Sequence, residues 1–237
     1  MALIFQCQIF YTVMIMQIEI NGIAKGFSKK QVLKNVSFCA QSGQCIGILG
    51  SNGSGKSTLL SLLAGITKAD AGQFLCDGND LLTDPKKRSS IVGYVPQGTP
   101  LMEELNAKDN LRLWYDSKDM EQSLNDGVLH LLGIDEFLRV KVSKMSGGMK
   151  KRLSIGCAMA NRPPILLLDE PTAALDLACK EKIFSWLNRY KQEGGLLLLT
   201  THDAMELDLC DRWFILKDGV LEAFSYTGNV RELVEQL

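Results

Sequence analysis

Four residues carry the clearest chemical capacity. Gly50, Gly55, Lys56 and Ser57 meet the spacing G-x-x-x-x-G-K-[ST] within GSNGSGKST, which runs from Gly50 to Thr58. Glycines let a backbone curl with its N–H groups pointing inward, a concave nest for phosphate oxygens. The nest would comprise Gly50, Ser51, Asn52, Gly53, Ser54, Gly55, Lys56, Ser57 and Thr58. A helix beginning near Lys56 would add its positive end. Lys56 then brings a mobile charge to the outer phosphates, and the Ser57 hydroxyl can ligate magnesium. The implied chemistry is capture of a nucleoside triphosphate.

A second constellation lies in ILLLDEPTAALD, Ile165 to Asp176. Asp169 ends an apolar run, where a carboxylate can hold magnesium through water, and Glu170 beside it could polarise an attacking water as general base. His202 closes another apolar run, LLLLTTH, in position for a γ-phosphate contact. The other histidine, His130 in VLHLLG, reads as structural. MSGGMKKR, Met145 to Arg152, offers a further small anion site, because Ser146, Gly147 and Gly148 precede a helix. One nucleotide cannot easily use two such sites from one core, so the second is best explained as serving a partner subunit's nucleotide.

These residues need a frame that gathers them. Apolar runs recur at 45–49, 91–95, 165–169, 196–202 and 212–216, several of them continuous, as expected of strands covered on both faces by helices. A parallel sheet of this kind puts its functional loops at the carboxyl ends of its strands. GSNGSGKST, DEPT and TH each follow such a run and should share one rim. From Gly98 to Met145 the texture becomes charged and helix-favouring, which predicts a helical insert over about 98–159. QIEINGIAKGF and QVLKNVSFCAQSG alternate more and predict antiparallel strands on one side. Residues 1–16 carry no charge and read as an edge strand or an extension ahead of a domain over 17–237. Gln6 and Gln8 interrupt that stretch as a membrane span, and no later segment reaches spanning length.

Composition narrows the classes. With 46% hydrophobic and 22% charged residues the chain can bury a core. A net charge of −1 gives no electrostatic case for nucleic acid as a partner. Seven cysteines, odd in number and without a C-x-x-C pair, argue against a disulfide framework or zinc site.

Taken together, the motifs resemble the nucleotide-binding subunit of ATP-binding cassette (ABC) transporters. The family's phosphate loop matches Gly50–Ser57, its glutamine loop Gln97 in GYVPQG, and its signature Ser146–Gly148. Its acidic strand end and glutamate match Asp169 and Glu170, the following turn Ala174, Leu175 and Asp176, and the switch histidine His202. The adenine-stacking aromatic falls at Phe27. The chain departs from the pattern at Met145 for leucine, Met149 for glutamine and Ala173 for serine, none of which removes a charge or metal ligand.

The resemblance implies an α/β fold, a P-loop NTPase core of RecA-like type, with a mainly parallel sheet, an N-terminal antiparallel portion and a helical insert. It implies ATP and Mg2+ as cofactors, with Ser57, Gln97 and Asp169 organising the metal. Two such subunits, identical or different, would dimerise head to tail beside a separate membrane-spanning subunit, as a peripheral protein of the cytoplasmic face. SGGMKKR is similar to export-type members. Two rivals remain: a non-transport ABC ATPase of translation or DNA repair, and a regulatory cassette with little hydrolysis. The first kind generally carries two cassettes or coiled-coil arms, and the second would lack groups such as Glu170 and His202.

Overall fold

The computed structural model describes residues 15–28, 30–201, 203–226 and 228. Strands β1 (Gln17–Phe27) and β2 (Lys30–Gln41) pair antiparallel and alternate in burial, with Ile18, Ile20, Ile23, Leu33, Val36 and Phe38 turned inward. This is the pattern of a sheet with one face on a core and one in water. Strand β3 (Cys45–Leu49) is buried throughout and leads into helix α1 (Lys56–Leu63). Strands β4 (Ala71–Cys76) and β5 (Asn79–Asp80) complete the antiparallel sheet, in the order β2-β1-β4-β5. Helix α2 (Pro85–Ile91), capped by Asp84 with proline at its start, delivers the chain to β6 (Val92–Val95).

The charged stretch then folds as α3 (Ala107–Leu111), α4 (Ser117–Asn125) and α5 (Val128–Leu131), followed by two 3-10 turns at Asp135–Phe137 and Val142–Lys144. Asn106 and Asp116 cap α3 and α4, each accepting from a backbone N–H three residues on. Helix α6 (Gly147–Ala158) runs from this helical region back to the core, where Gly156 O accepts from Tyr115 Oη at 2.9 Å.

The remaining elements are β7 (Ile165–Asp169), α7 (Leu177–Gln192), β8 (Leu196–Thr200), α8 (Ala204–Leu209), β9 (Arg212–Lys217) and β10 (Val220–Phe224). They build a six-stranded sheet, β10-β9-β3-β8-β7-β6, parallel except for its β9–β10 edge.

The leucine runs explain the layering. Leu166, Leu168, Leu197 and Leu199 face a core shared with α6, α7 and the helical region. Ile165, Leu167, Leu196 and Leu198 face the other core, shared with α1 and the antiparallel sheet. A strand buried on both faces has no polar side, which is why ILLLD and LLLLT lack alternation. Among the described residues no helix is long and apolar enough to cross a membrane. The six described cysteines are free thiols, five of them buried. Cys7 and most of the apolar extension over 1–16 lie outside the described residues.

Candidate functional site

The central strands end level with one another. Ile48 pairs with Thr200, Thr200 with Asp169, and Val95 with Leu168, so the loops after β3, β6, β7 and β8 emerge on one rim. The rim holds a cleft lined by Phe27, Val32, Asn52, Gly53, Gly55, Lys56, Ser57, Thr58, Gln97 and Glu170.

The loop after β3 is shaped by its main chain. Gly50, Gly53 and Gly55 have φ of 152°, 80° and 111°, values that side chains rarely accept. A Cβ on Gly50 would sit 2.5 Å from the Leu216 carbonyl oxygen and 2.6 Å from Ser54 Oγ. Lys56 begins α1 and is buried, and its Nζ donates to the carbonyls of Gly50 at 2.6 Å and Ser51 at 3.2 Å. Burial lowers its pKa, while the Glu170 and Asp169 charges counter that and favour the ammonium form. Ser54 Oγ is buried without a partner among the described residues. An orphaned hydroxyl, a tightly turned chain and a buried cation together form a cradle suited to phosphate oxygens.

Across the cleft the acidic pair is held by Thr200. Asp169 Oδ1 accepts from Thr200 Oγ1 at 2.6 Å. The Glu170 N–H is shared between the Thr200 carbonyl at 3.2 Å and Thr200 Oγ1 at 3.1 Å. Glu170 adopts a left-handed φ of 47°, a conformation costing about 1–3 kcal/mol for a residue with a side chain. Its Oε2 accepts from Gln97 Nε2 at 2.9 Å, which brings the predicted glutamine and glutamate together.

Among the described residues no group of three His, Cys, Asp or Glu could hold a metal by itself. The donors present at the rim are instead the Ser57 hydroxyl, the Gln97 amide and the Asp169 carboxylate. These hard oxygens suit a magnesium ion that completes its shell with water and substrate phosphates.

The other predicted residues are placed as follows. Phe27 is 49% exposed at the cleft, with Lys25 Nζ 5.2 Å from its ring centroid. Ser146 caps α6 by accepting from the Met149 N–H at 3.2 Å, and its hydroxyl keeps a proton to donate. Ser146 and Gly147 are exposed, while Gly148 is packed against Cys179, whose Sγ would lie 2.6 Å from an added Cβ. Asp176 caps α7 through Cys179 N–H at 2.9 Å. His130 is exposed and 3.6 Å from Asp135, away from the cleft. His202 lies outside the described residues.

Sequence reasoning missed three supporting residues. Thr200 holds the Asp169 carboxylate and the Glu170 main-chain N–H; its one signal was its place at the end of a leucine run. Buried Glu206 on α8 accepts from Thr172 N–H at 3.0 Å and Thr172 Oγ1 at 2.5 Å, tying α8 to the turn after Glu170. Buried Lys151 lies within SGGMKKR, where nothing local separates it from its half-buried basic neighbours Lys150 and Arg152.

A glycine-shaped loop between the parallel strand β3 and a helix, faced by a carboxylate pair at the end of β7, with β8 between the two strands, defines a P-loop nucleoside triphosphatase. The family model described as ABC transporter matches residues 33–173. The chain belongs to the ABC transporter family, as an ATP-binding, ATP-hydrolysing subunit. It is 32% identical to the linearmycin resistance ATP-binding protein LnrL of Bacillus subtilis (strain 168), over 93% of this chain and 71% of that one. It is 34% identical to the Nod factor export ATP-binding protein I of Sinorhizobium fredii (strain NBRC 101917 / NGR234), over 85% of this chain and 60% of that one. A solved ATP-binding cassette, described as a dimeric post-hydrolysis state bound to ADP and Pi, superposes with a TM-score of 0.75 at 29% identity. That match covers 88% of this chain and 99% of the other.

Proposed function

We propose that this chain powers export by a separate membrane-spanning subunit, closing head to tail on a second cassette, identical or different, around ATP. The carrying observation is the division of the anion sites. The phosphate loop and the Gln97–Glu170 pair share one cleft, whereas the Ser146–Gly147 helix start is exposed and contributes nothing to that cleft's lining. A second subunit presenting its own Ser146, Gly147 and Gly148 would complete each cleft. The dimeric solved relative, and relatives named for Nod factor export and linearmycin resistance, support this reading.

Within it, Phe27 stacks on adenine, and the loop amides with Lys56 hold the β- and γ-phosphates. Ser57, Gln97 and Asp169 would hold magnesium, which when bound neutralises charge on the phosphates. Glu170 takes the proton of the attacking water, His202 holds the γ-phosphate, and Asp176 sits in the turn at the dimer seam. Phosphoryl transfer depends chiefly on positioning and charge, so a site completed only by closure gates the chemistry. One cassette domain over 17–237, with its helical insert over about 98–159, would sit on the cytoplasmic face as a peripheral subunit.

The test is capture of the tagged chain from membranes, followed by transport in inverted vesicles. Co-purification of a multi-span membrane protein, with ATP-dependent uptake lost in Glu170→Gln vesicles, is the expected result. An ATPase that purifies with no membrane protein would instead favour a soluble role.

A further inference from the structure

We infer that Lys151 is a positioning residue that fastens the glutamine loop to helix α6 and so sets where Gln97 meets Glu170. The inference rests on the roles proposed above for Gln97 and Glu170. Lys151 is 4% exposed, and its Nζ donates to the carbonyls of Pro96 and Gln97, each at 3.0 Å. Strand β6 ends at Val95, so both carbonyls lie beyond the ladder that would otherwise supply their donors. A buried ammonium is costly, and methionine would fill similar space without that cost. The lysine is therefore informative for what it grips. Burial lowers its pKa, with Asp169, Glu206 and Glu170 as the carboxylates that favour its charged form.

The contacts form one continuous path. Lys151 holds the Gln97 carbonyl, and the Gln97 amide holds Glu170 Oε2 at 2.9 Å. Lys151 also lies about one helical turn after Gly147, on the helix whose start is proposed to touch the partner's nucleotide. A shift of that helix start is carried by a rigid helix to the Lys151 ammonium, and from there to the residue beside the general base. Lys151 thus links the contact a subunit makes in trans to the water site it holds in cis.

The experiment is a double-substitution cycle on steady-state ATP hydrolysis by the purified chain. It compares wild type, Lys151→Met, Gln97→Ala and the pair, with thermal melts alongside. Lys151→Met should lower kcat by about ten- to a hundred-fold, the scale of an ångström-sized misplacement. KM for ATP should stay within about twofold, because Lys151 does not touch the phosphate loop, which carries uniform binding. The double variant should turn over no more slowly than Gln97→Ala alone. Lys151→Arg, which keeps donors in place, should recover most of the loss. An unchanged kcat in Lys151→Met, a rise confined to KM, or an equal loss in both Gln97 backgrounds would overturn the inference. Should Lys151→Met not fold, Lys151→Gln replaces it in the same cycle. A drop confined to the wild-type background sustains the link; no drop, or the same drop in both, overturns it. A wild-type chain without hydrolysis would count against the proposed function itself, a separate outcome.

Discussion

The two walls of the cleft are built by different means. The phosphate loop is made of main chain: three glycines at positive φ, backbone N–H groups, and a lysine that grips carbonyls five and six residues before it. The opposite wall is made of side chains from distant segments. Gln97 reaches Glu170 across 73 positions, Thr200 reaches Asp169 across 31, and Lys151 reaches Gln97 across 54. In the proposed function the main-chain nest serves binding. A wall of long-range side chains depends on the placement of every element that carries one of them, and in the proposed function it serves timing. On the proposed function, binding is local and hydrolysis is distributed.

The contrast can be broken most strongly at Glu170. Glu170→Gln should lower turnover by about 10²–10⁴-fold, the range typical of losing a general base, while ATP affinity changes little. Turnover assays and size-exclusion chromatography with ATP check this, and an ATP-held dimer is the expected companion result. Full activity would remove Glu170 as base. Next comes the loop's one charged side chain. Lys56→Ala removes charge-assisted hydrogen bonds and should weaken ATP binding by about 10–100-fold in titration calorimetry. Unchanged affinity would show that the amides alone suffice.

Gly50→Ala tests the main-chain wall without touching charge. Its φ of 152° and the Leu216 carbonyl 2.5 Å from the new Cβ should cost about 1–3 kcal/mol, read as a lower denaturant midpoint.

The smallest effect concerns Glu206. Burial raises its pKa above 4.5, against the hydrogen bonds from Thr172 that favour its charge. A carboxyl group whose pKa rises on folding binds its proton more tightly in the folded state. Its contribution to stability is greatest below the unfolded pKa and is lost as pH rises through the folded value. Glu206→Gln keeps an acceptor for Thr172 and removes the titration. Stability should therefore fall less from pH 4.5 upward in the variant than in the wild type, as followed by denaturation at several pH values. Parallel curves would show that Glu206 does not titrate in that window.

Much of this architecture is legible in the chain because it is written in short stretches. The continuous runs at 45–49, 165–169 and 196–200 fold as fully buried parallel strands, since lack of alternation reflects cover on both faces. The alternating opening folds as antiparallel strands with one face in water, and GSNGSGKST joins β3 to α1 as its glycines require. The helical region between β6 and β7 follows from its charged texture and its caps. Lys151, Thr200 and Glu206 were not legible in this way. A lysine beside another lysine, a threonine ending a strand and a glutamate in a short helix look like solvated residues until a distant segment covers them.

The sequence alone determined the glycine-shaped loop after β3, the order of the rim elements and the separate start of α6 at Ser146. Each depends on backbone freedom or hydrophobic period within about a dozen residues. Tertiary structure alone decided which side chains became buried and which carbonyls and carboxylates they met. Strand register and helix docking set those pairings between segments far apart in the chain. No local pattern encodes a contact whose partners are neighbours only after the sheet has formed.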